Sequence, residues 1–299
     1  MAEKRERTRV SHNVLAEFTY DRRPVERGYA GRTLYVNLSD NTIAGKPVTQ
    51  EMKDKFIGGK GFGLWLLWRG IRDDTRWDSP ENEIVISSGP LGGITTYPGA
   101  GKSLVVSISP TTGSVMDSNV GGYFGPYLKF AGWDAIEIQG KAERDVIVFV
   151  DGDEGRVTIE EAALEARDSH ELAQQLADLY GETLHEKRAI SSVSAGSGAE
   201  HALIGCLNFS FYDIRRKVAR VKQAGRGGIG TVFRDKKIRA LVVKFSGLRS
   251  DTNGPADLGR LQSVGVKMHK ELHDYDDVQC KMRSRGTAHL VEIMNDYDL

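Results

Sequence analysis

Glycine comes in clusters in this chain, and short apolar runs stand between them. EIVIS leads into SGPLGG and KSLVVSI into SPTTG, and the clusters GGYFG and AGRGGIG follow further along the chain. Apolar runs this brief have the length of strands and are too short for an ordinary helix. A glycine cluster after each lets the backbone reverse in conformations that a Cβ forbids. The chain has 34 glycines in 299 residues, above the usual share of about 7%, but the clustering matters more than the excess. Such a pattern predicts many short strands joined by tight turns.

Reading along the chain sharpens this. Residues 1–28 are charged, of mixed sign and aperiodic, the composition of a mobile or partner-wrapping arm. From Gly31, RTLYVNLSD alternates apolar and polar as a half-buried strand does, and SDNTIAGK supplies a turn. VTQEMKDKFIGGKGFGLWLLWRGI has helical spacing around a glycine break, with Thr49 as N-cap. EIVISSGPLGG, KSLVVSISPTTGSV, AIEIQGK, DVIVFVDGDEGRVTIEEA and HALIGCLNF have strand composition, and DGDEG marks a hairpin turn. SHELAQQLADLYGE is an amphipathic helix with Leu172, Leu176 and Leu179 on one face. DLGRLQSVGVKMHKEL and GTAHLVEIMNDYDL read as helices. The expected organisation is an arm (1–28), a β-rich domain (29–250), and the start of a helical domain (251–299) that looks cut short. The fold class is α+β.

Lys plus Arg and Asp plus Glu both number 41, so overall charge argues against a nucleic-acid protein. Any basic patch must be local. With two cysteines, Cys206 and Cys280, the chain cannot build a disulfide framework, nor an iron–sulfur or zinc site from its own thiols alone. Cys206, in an apolar stretch, reads as a core strand residue. The reading is a reduced, cytoplasmic protein without a membrane span. His269 and His273 stand four apart on a helix, but no third ligand is near, so a solvated face is the simpler account.

GRGGIG is a literal G-x-G-x-x-G at Gly225, Gly227 and Gly230. A dinucleotide fingerprint must follow a strand and open a helix. Here the basic segment IRRKVARVK reads as a helix and the strand LVVKF comes after, which rejects that reading. A nest of glycine N–H groups with the Arg226 guanidinium remains suited to a phosphate, although a tight turn beside a solvated helix is the better account of this loop taken alone. Three more loops resemble it: GGYFG beside Asn119, with Gly121, Gly122 and Gly125; PGAGK, ending in Lys102 before a strand; and IGGKG, read in the same way with Lys60. Together they point to a large polyanionic ligand lying flat on a sheet. Tyr123, Phe124, Tyr127 and Trp133 offer flat surface, or simply core packing.

SGPLGG, the S-P-x-T-G of ISPTTGSV, NVGGYFGPYLKFAGWDAI and AGRGGIGTVFRDKKIRALVV occur in the order seen in the aldehyde:ferredoxin oxidoreductase family. GRTLYVNLS and GTAHLVEIMNDYDL resemble it too, so the likeness spans about 29–299. The resemblance implies an N-terminal domain of two β-sheets forming the base for a tungsten or molybdenum bis-pyranopterin whose phosphates share a magnesium ion. It places Lys102, Asn119, Gly121, Gly122, Lys222, Gln223, Gly225 and Arg226 at the pterins, with the Asn119 and Gln223 backbone carbonyls toward the magnesium. Lys102 stands where the family usually has arginine, keeping the charge and losing the bidentate fork. The cluster cysteines and the catalytic Glu and His of the family lie in later helical domains. No catalytic residue is therefore assigned here, and a 4Fe-4S cluster is expected nearby but not ligated by this chain.

The function implied is aldehyde–carboxylic acid interconversion, with electrons passing to an iron–sulfur cluster and a ferredoxin-type acceptor. The alternatives are an aromatic-thioester (CoA) reductase subunit of the same family, a non-catalytic cofactor-holding or assembly subunit, or an ordinary nucleotide-binding protein. The implied partners are iron–sulfur electron-transfer subunits and other copies in an oligomer, and the resemblance also allows a separate chain carrying the C-terminal catalytic domains.

Overall fold

A computed structural model describes residues 12–162, 164–166, 168–249 and 251–298. Its strands are Val14–Thr19 (β1), Arg32–Asn37 (β2), Thr42–Pro47 (β3), Ile84–Ser87 (β4), Ser103–Ile108 (β5), Val115–Val120 (β6), Ala135–Gln139 (β7), Val146–Asp151 (β8), Arg156–Glu161 (β9), Ile190–Ser194 (β10), Leu207–Asp213 (β11), Val218–Ala224 (β12) and Ile238–Lys244 (β13). They form two mixed sheets, one in the order β3-β2-β7-β4-β5-β6 and the other in the order β1-β9-β8-β13-β10-β11-β12. Two sheets followed by helices are the α+β arrangement expected.

Strand alternation decides how the sheets pack. Ile84 and Ile86 of β4 point into the main core with Ile136 and Ile138 of β7, while Val85 points to the other face. The second sheet contributes Val146, Val148 and Val150, and Leu241 and Val243, to that same core. Two short helices, Phe124–Phe130 (here α3) and Ile229–Asp235 (α6), add Phe124, Leu128, Val232 and Phe233 to it. Helices Gln50–Phe56 (α1) and Lys60–Gly70 (α2) cover the outer face of the six-stranded sheet through Met52, Phe62, Leu66 and Leu67. Thr49 caps α1, its Oγ1 accepting from the Met52 N–H at 3.2 Å, and the break at Gly58–Gly59 separates the two helices. Ser169–Tyr180 (α4) lays Leu172, Leu176 and Leu179 on the other sheet as its periodicity predicts. Leu184–Arg188 (α5) follows it, opened by a Thr183–Glu186 capping box. Asp151–Gly155 turns the β8–β9 hairpin.

Leu258–Tyr275 (α7), Met282–Arg285 (α8) and His289–Asp296 (α9) follow the sheets. Gly265 of α7 docks on the Thr96 carbonyl, where a Cβ would approach to 2.1 Å. His269 and His273 are exposed on α7. The Cys280 side chain lies outside the described residues. No described helix is long and apolar enough to cross a membrane.

Several readings are corrected. Within the charged arm, Val14–Thr19 is an ordered edge strand paired with β9, because its alternate apolar residues cover the sheet edge; residues 1–11 lie outside the described residues. HALIGCLNF is a strand only from Leu207, and Cys206 sits half-buried in the preceding loop. Lys60 opens α2 instead of preceding a strand. IRRKVARVK is a turn followed by β12, not a helix. Its cations alternate along an edge strand, where long charged side chains deter pairing with other chains.

That last change removes the order argument against a dinucleotide fold, since GRGGIG follows β12 and leads into α6. Topology excludes it instead. The ladders β12–β11, β11–β10 and β10–β13 are all antiparallel, so β12 and β13 run in opposite directions. A dinucleotide βαβ unit needs them parallel.

Candidate cofactor floor

The glycine loops meet on one surface. The Gly59 N–H donates to the Ser88 carbonyl at 3.2 Å, and a Cβ on Gly58 would lie 3.2 Å from the Gly89 Cα. Gly125 sits where a Cβ would approach Ser88 and Ser103 side-chain atoms at 3.0 and 2.6 Å. Its N–H donates to Ser103 Oγ at 3.0 Å, and Ser88 Oγ donates to its carbonyl at 3.4 Å. A Cβ on Gly101 would stand 2.8 Å from the Gly122 carbonyl. Four segments are thus joined through backbone contacts and serine side chains.

The β5–β6 ladder ends at Ser103 opposite Val120, so Lys102 and Gly121 flank its last rung. The fifth segment arrives from the other sheet, where the end of β12 lies along β6. The Arg226 N–H donates to Ser118 Oγ at 3.1 Å, and Gly227 packs where a Cβ would meet the Met116 Cβ at 2.9 Å. Tyr123 stacks on Tyr127 and meets Phe211 of β11 edge-on at 5.8 Å. The floor is therefore the seam between an edge of each sheet. Lys102, Asn119, Gly121 and Gly122 stand on one side, with Lys222, Gln223, Gly225 and Arg226 on the other.

Which glycines face outward follows from where a side chain would go. A Cβ on Gly89, Gly121, Gly122 or Gly225 would meet nothing within 4 Å. Their neighbours Gly58, Gly101, Gly125 and Gly227 are packed instead. The loops thus present bare main chain on one side and are locked on the other, a surface a flat ligand can approach without steric conflict.

Charge follows the same division. Lys102, Lys222 and Arg226 are exposed, and their side chains have no hydrogen-bond or ion-pair partner among the described residues. Lys60 is engaged at 2.7 Å by Asp117, and Arg216 and Arg220 share Asp213 at 2.8 and 3.7 Å. The Gln223 amide donates to Asn208 Oδ1 at 3.3 Å, and Asn119 is exposed near the end of β6. Among the aromatics, Phe124, Tyr127 and Trp133 are buried, so core packing is their role; Tyr123 is 48% exposed and available to a ligand.

Sequence reasoning missed the serines beneath the floor. Ser88, Ser103 and Ser118 are buried and supply the side-chain bonds that fasten the loops. Each stands within three residues of a glycine, in SSGP, GKS and SNVGG, and that proximity was the available signal.

A glycine-floored seam between two sheets, fringed by cations with no partner among the described residues, has the chemistry to suit a large anionic ligand. Residues 33–245 match the family described as aldehyde ferredoxin oxidoreductase, N-terminal domain, and the chain belongs to that family. It is 32% identical over 275 residues to the tungsten-containing aldehyde ferredoxin oxidoreductase of Pyrococcus horikoshii, covering 91% of this chain and 42% of that protein. The aliphatic sulfonate oxidoreductase, WOR-like subunit, of Pyrococcus furiosus is 31% identical, covering 73% of this chain and 35% of its own length. Among solved structures, the active-site complex BamBC of benzoyl coenzyme A reductase with 1,5-dienoyl-CoA superposes with a TM-score of 0.62 at 26% identity, covering 73% of this chain and 31% of that one. The chain spans less than half the length of the aldehyde ferredoxin oxidoreductases it resembles.

Proposed function

We propose that this chain is the pterin-binding base of a tungsten or molybdenum oxidoreductase interconverting aldehydes and carboxylic acids. The observation that carries the reading is the convergence of the glycine loops, with the Cβ directions of Gly89, Gly121, Gly122 and Gly225 open. Those glycines fit a flat, double pterin. Lys102, Lys222 and Arg226 fit its phosphates, with Arg226 able to bind two oxygens at once. The Asn119 and Gln223 carbonyls are the proposed holders of a bridging magnesium.

When bound, such a cofactor supplies two-electron chemistry at its metal, and the protein supplies binding and orientation. The chain's own part is to grip the acidic tails, hold the ring system flat and keep side chains off its face. Passage of electrons to a 4Fe-4S cluster and a ferredoxin-type acceptor, in a cytoplasmic assembly of several chains, belongs to the same proposal. So does the supply of catalytic Glu and His by residues or a partner outside this chain.

Anaerobic purification from cells given tungstate or molybdate, with metal analysis and pterin fluorescence after oxidation, tests the reading. Arg226→Ala should lower cofactor content several-fold without unfolding the chain, because its side chain has no hydrogen-bond or ion-pair partner among the described residues. Full occupancy in that variant, or a native protein that never carries a pterin under either metal, refutes the assignment. Pterin retained by the lone chain without any redox activity, alone or with co-purifying partners, would make it a cofactor carrier instead.

The likeness to the benzoyl coenzyme A reductase complex favours one second reading, reduction of an aromatic thioester. Assays with benzaldehyde and with benzoyl-CoA in the full assembly separate the two.

A further inference from the structure

Lys129 is fully buried, on α3, which opens just after Gly121–Gly122. Its ammonium donates to the Gly89 carbonyl at 2.6 Å, to Gly92 at 3.0 Å, to Pro90 at 3.3 Å and to Asn253 Oδ1 at 3.3 Å. Among the described residues no carboxylate pairs with it. The nearby Asp134 carboxylate is occupied by the Ala30 and Gly31 N–H groups at 2.9 and 2.8 Å. Burial pushes the lysine down to about 7, with Asp134 opposing from a distance. Four oxygen acceptors suit a group with three protons, and a neutral amine would aim its lone pair at a carbonyl.

A methionine would fill this space without the desolvation cost of a buried charge. What the cation adds is a hold on one turn. Residues 89–92 form a β-turn closed by the Gly92 N–H on the Gly89 carbonyl at 2.9 Å, with Pro90 in its second position. The underside of the turn carries the three carbonyls that Lys129 gathers. The same turn presents Gly89, one of the four open glycines. Asn253 extends the grip: its amide donates to the Pro90 carbonyl at 2.8 Å, and its own carbonyl accepts from the Gly28 N–H at 3.0 Å. The N-terminal segment, the floor turn, α3 and the approach to α7 are therefore tied at one ammonium.

We propose that Lys129 is a positioning residue, a tethered cation whose carbonyl cage fixes the 89–92 turn from below and joins it to the segment leading into the C-terminal helices. The consequence for cofactor retention rests on the function proposed above; the cage itself does not.

Lys129→Met and Lys129→Ala, read by amide hydrogen exchange of peptides covering 88–93 and by metal and pterin content, test this. In Lys129→Met, protection of 88–93 should fall about tenfold or more, as expected when carbonyls lose a buried charged donor. Strands β8 and β13 should keep theirs, and cofactor content should fall several-fold. In Lys129→Ala, n-propylammonium chloride replaces the deleted atoms and should restore both readouts, whereas 1-propanol should not. Asn253→Leu, which keeps the cation but removes one of its acceptors together with the amide bond to the Pro90 carbonyl, should show a smaller loss over the same peptides if the lysine variants do not fold. Native protection of 88–93 in Lys129→Met, rescue by the alcohol equal to that by the amine, or no loss in Asn253→Leu overturns the proposal. If exchange responds as expected but the native chain never holds a pterin, the cage stands and the function falls.

Discussion

Glu83 offers a quantitative test of the six-stranded sheet beneath the floor. It lies 1% exposed just before β4, its carboxyl packed where a Cβ on Gly70 would come within 2.3 Å, and its Oε2 has no hydrogen-bond partner among the described residues. Burial, and then the Glu137 carboxylate, push its pKa up to about 8, against opposing pulls from Lys46 and Lys236. Because the folded pKa lies above the unfolded one, the folded state holds this proton more tightly. The contribution is fully present below the unfolded value of 4.5 and is lost as pH rises from there to about 8. At pH 7 that loss is about 3 kcal/mol. Glu83→Gln removes the titration while keeping the shape. It should therefore be more stable at pH 7 by up to about 3 kcal/mol, a rise in thermal midpoint of roughly 5 °C for a chain of this size. Near pH 4.5 the two proteins should differ little. Thermal unfolding of both from pH 4.5 to 8.5 gives the difference curve. Parallel curves would show that Glu83 ionises normally in the fold, and the reasoning about its burial would be wrong.

Gly121→Val should leave the thermal midpoint of the cofactor-free chain nearly unchanged, since its φ is unexceptional and its Cβ direction is open, yet cofactor content should collapse; full retention would show that no ligand lies on that face. Gly122→Val should lose cofactor too, but also stability, because Gly122 has φ +137° and a β-branched residue is strained there; an unchanged midpoint would contradict the strain argument. Lys102→Arg should slow pterin loss during gel filtration, because a guanidinium grips phosphate at two oxygens; faster loss would place the phosphate elsewhere. Asp168→Ala removes the cap that accepts from the His170 and Glu171 N–H groups at 2.7 and 2.9 Å, and should lower the urea midpoint of unfolding without altering cofactor content.

The strands and amphipathic helices were legible because their signals are local. Period-two alternation around Leu34 and the leucine stripe of α4 each sit within one element. Errors fell where two local signals competed. The cations of IRRKVARVK suit a solvated helix as well as an edge strand, and only the pairing of β12 with β11 decides between them. The arm misled for a similar reason: charge dominates its composition, while the apolar side of Val14–Thr19 becomes useful only beside β9.

Taken alone, the sequence determined the ingredients of this protein: which loops lack side chains, which carry cations, and the family whose motifs they share. Those facts are written residue by residue. Tertiary structure decided that the loops share one seam, that Gly121 faces outward while Gly101 is packed, and that Lys102 has no partner among the described residues while Asp117 takes Lys60. It also decided that Lys129, one cation among many in the text, lies caged beneath the floor. The physical reason is that burial and pairing are properties of neighbours, and these neighbours stand tens to more than a hundred residues apart along the chain.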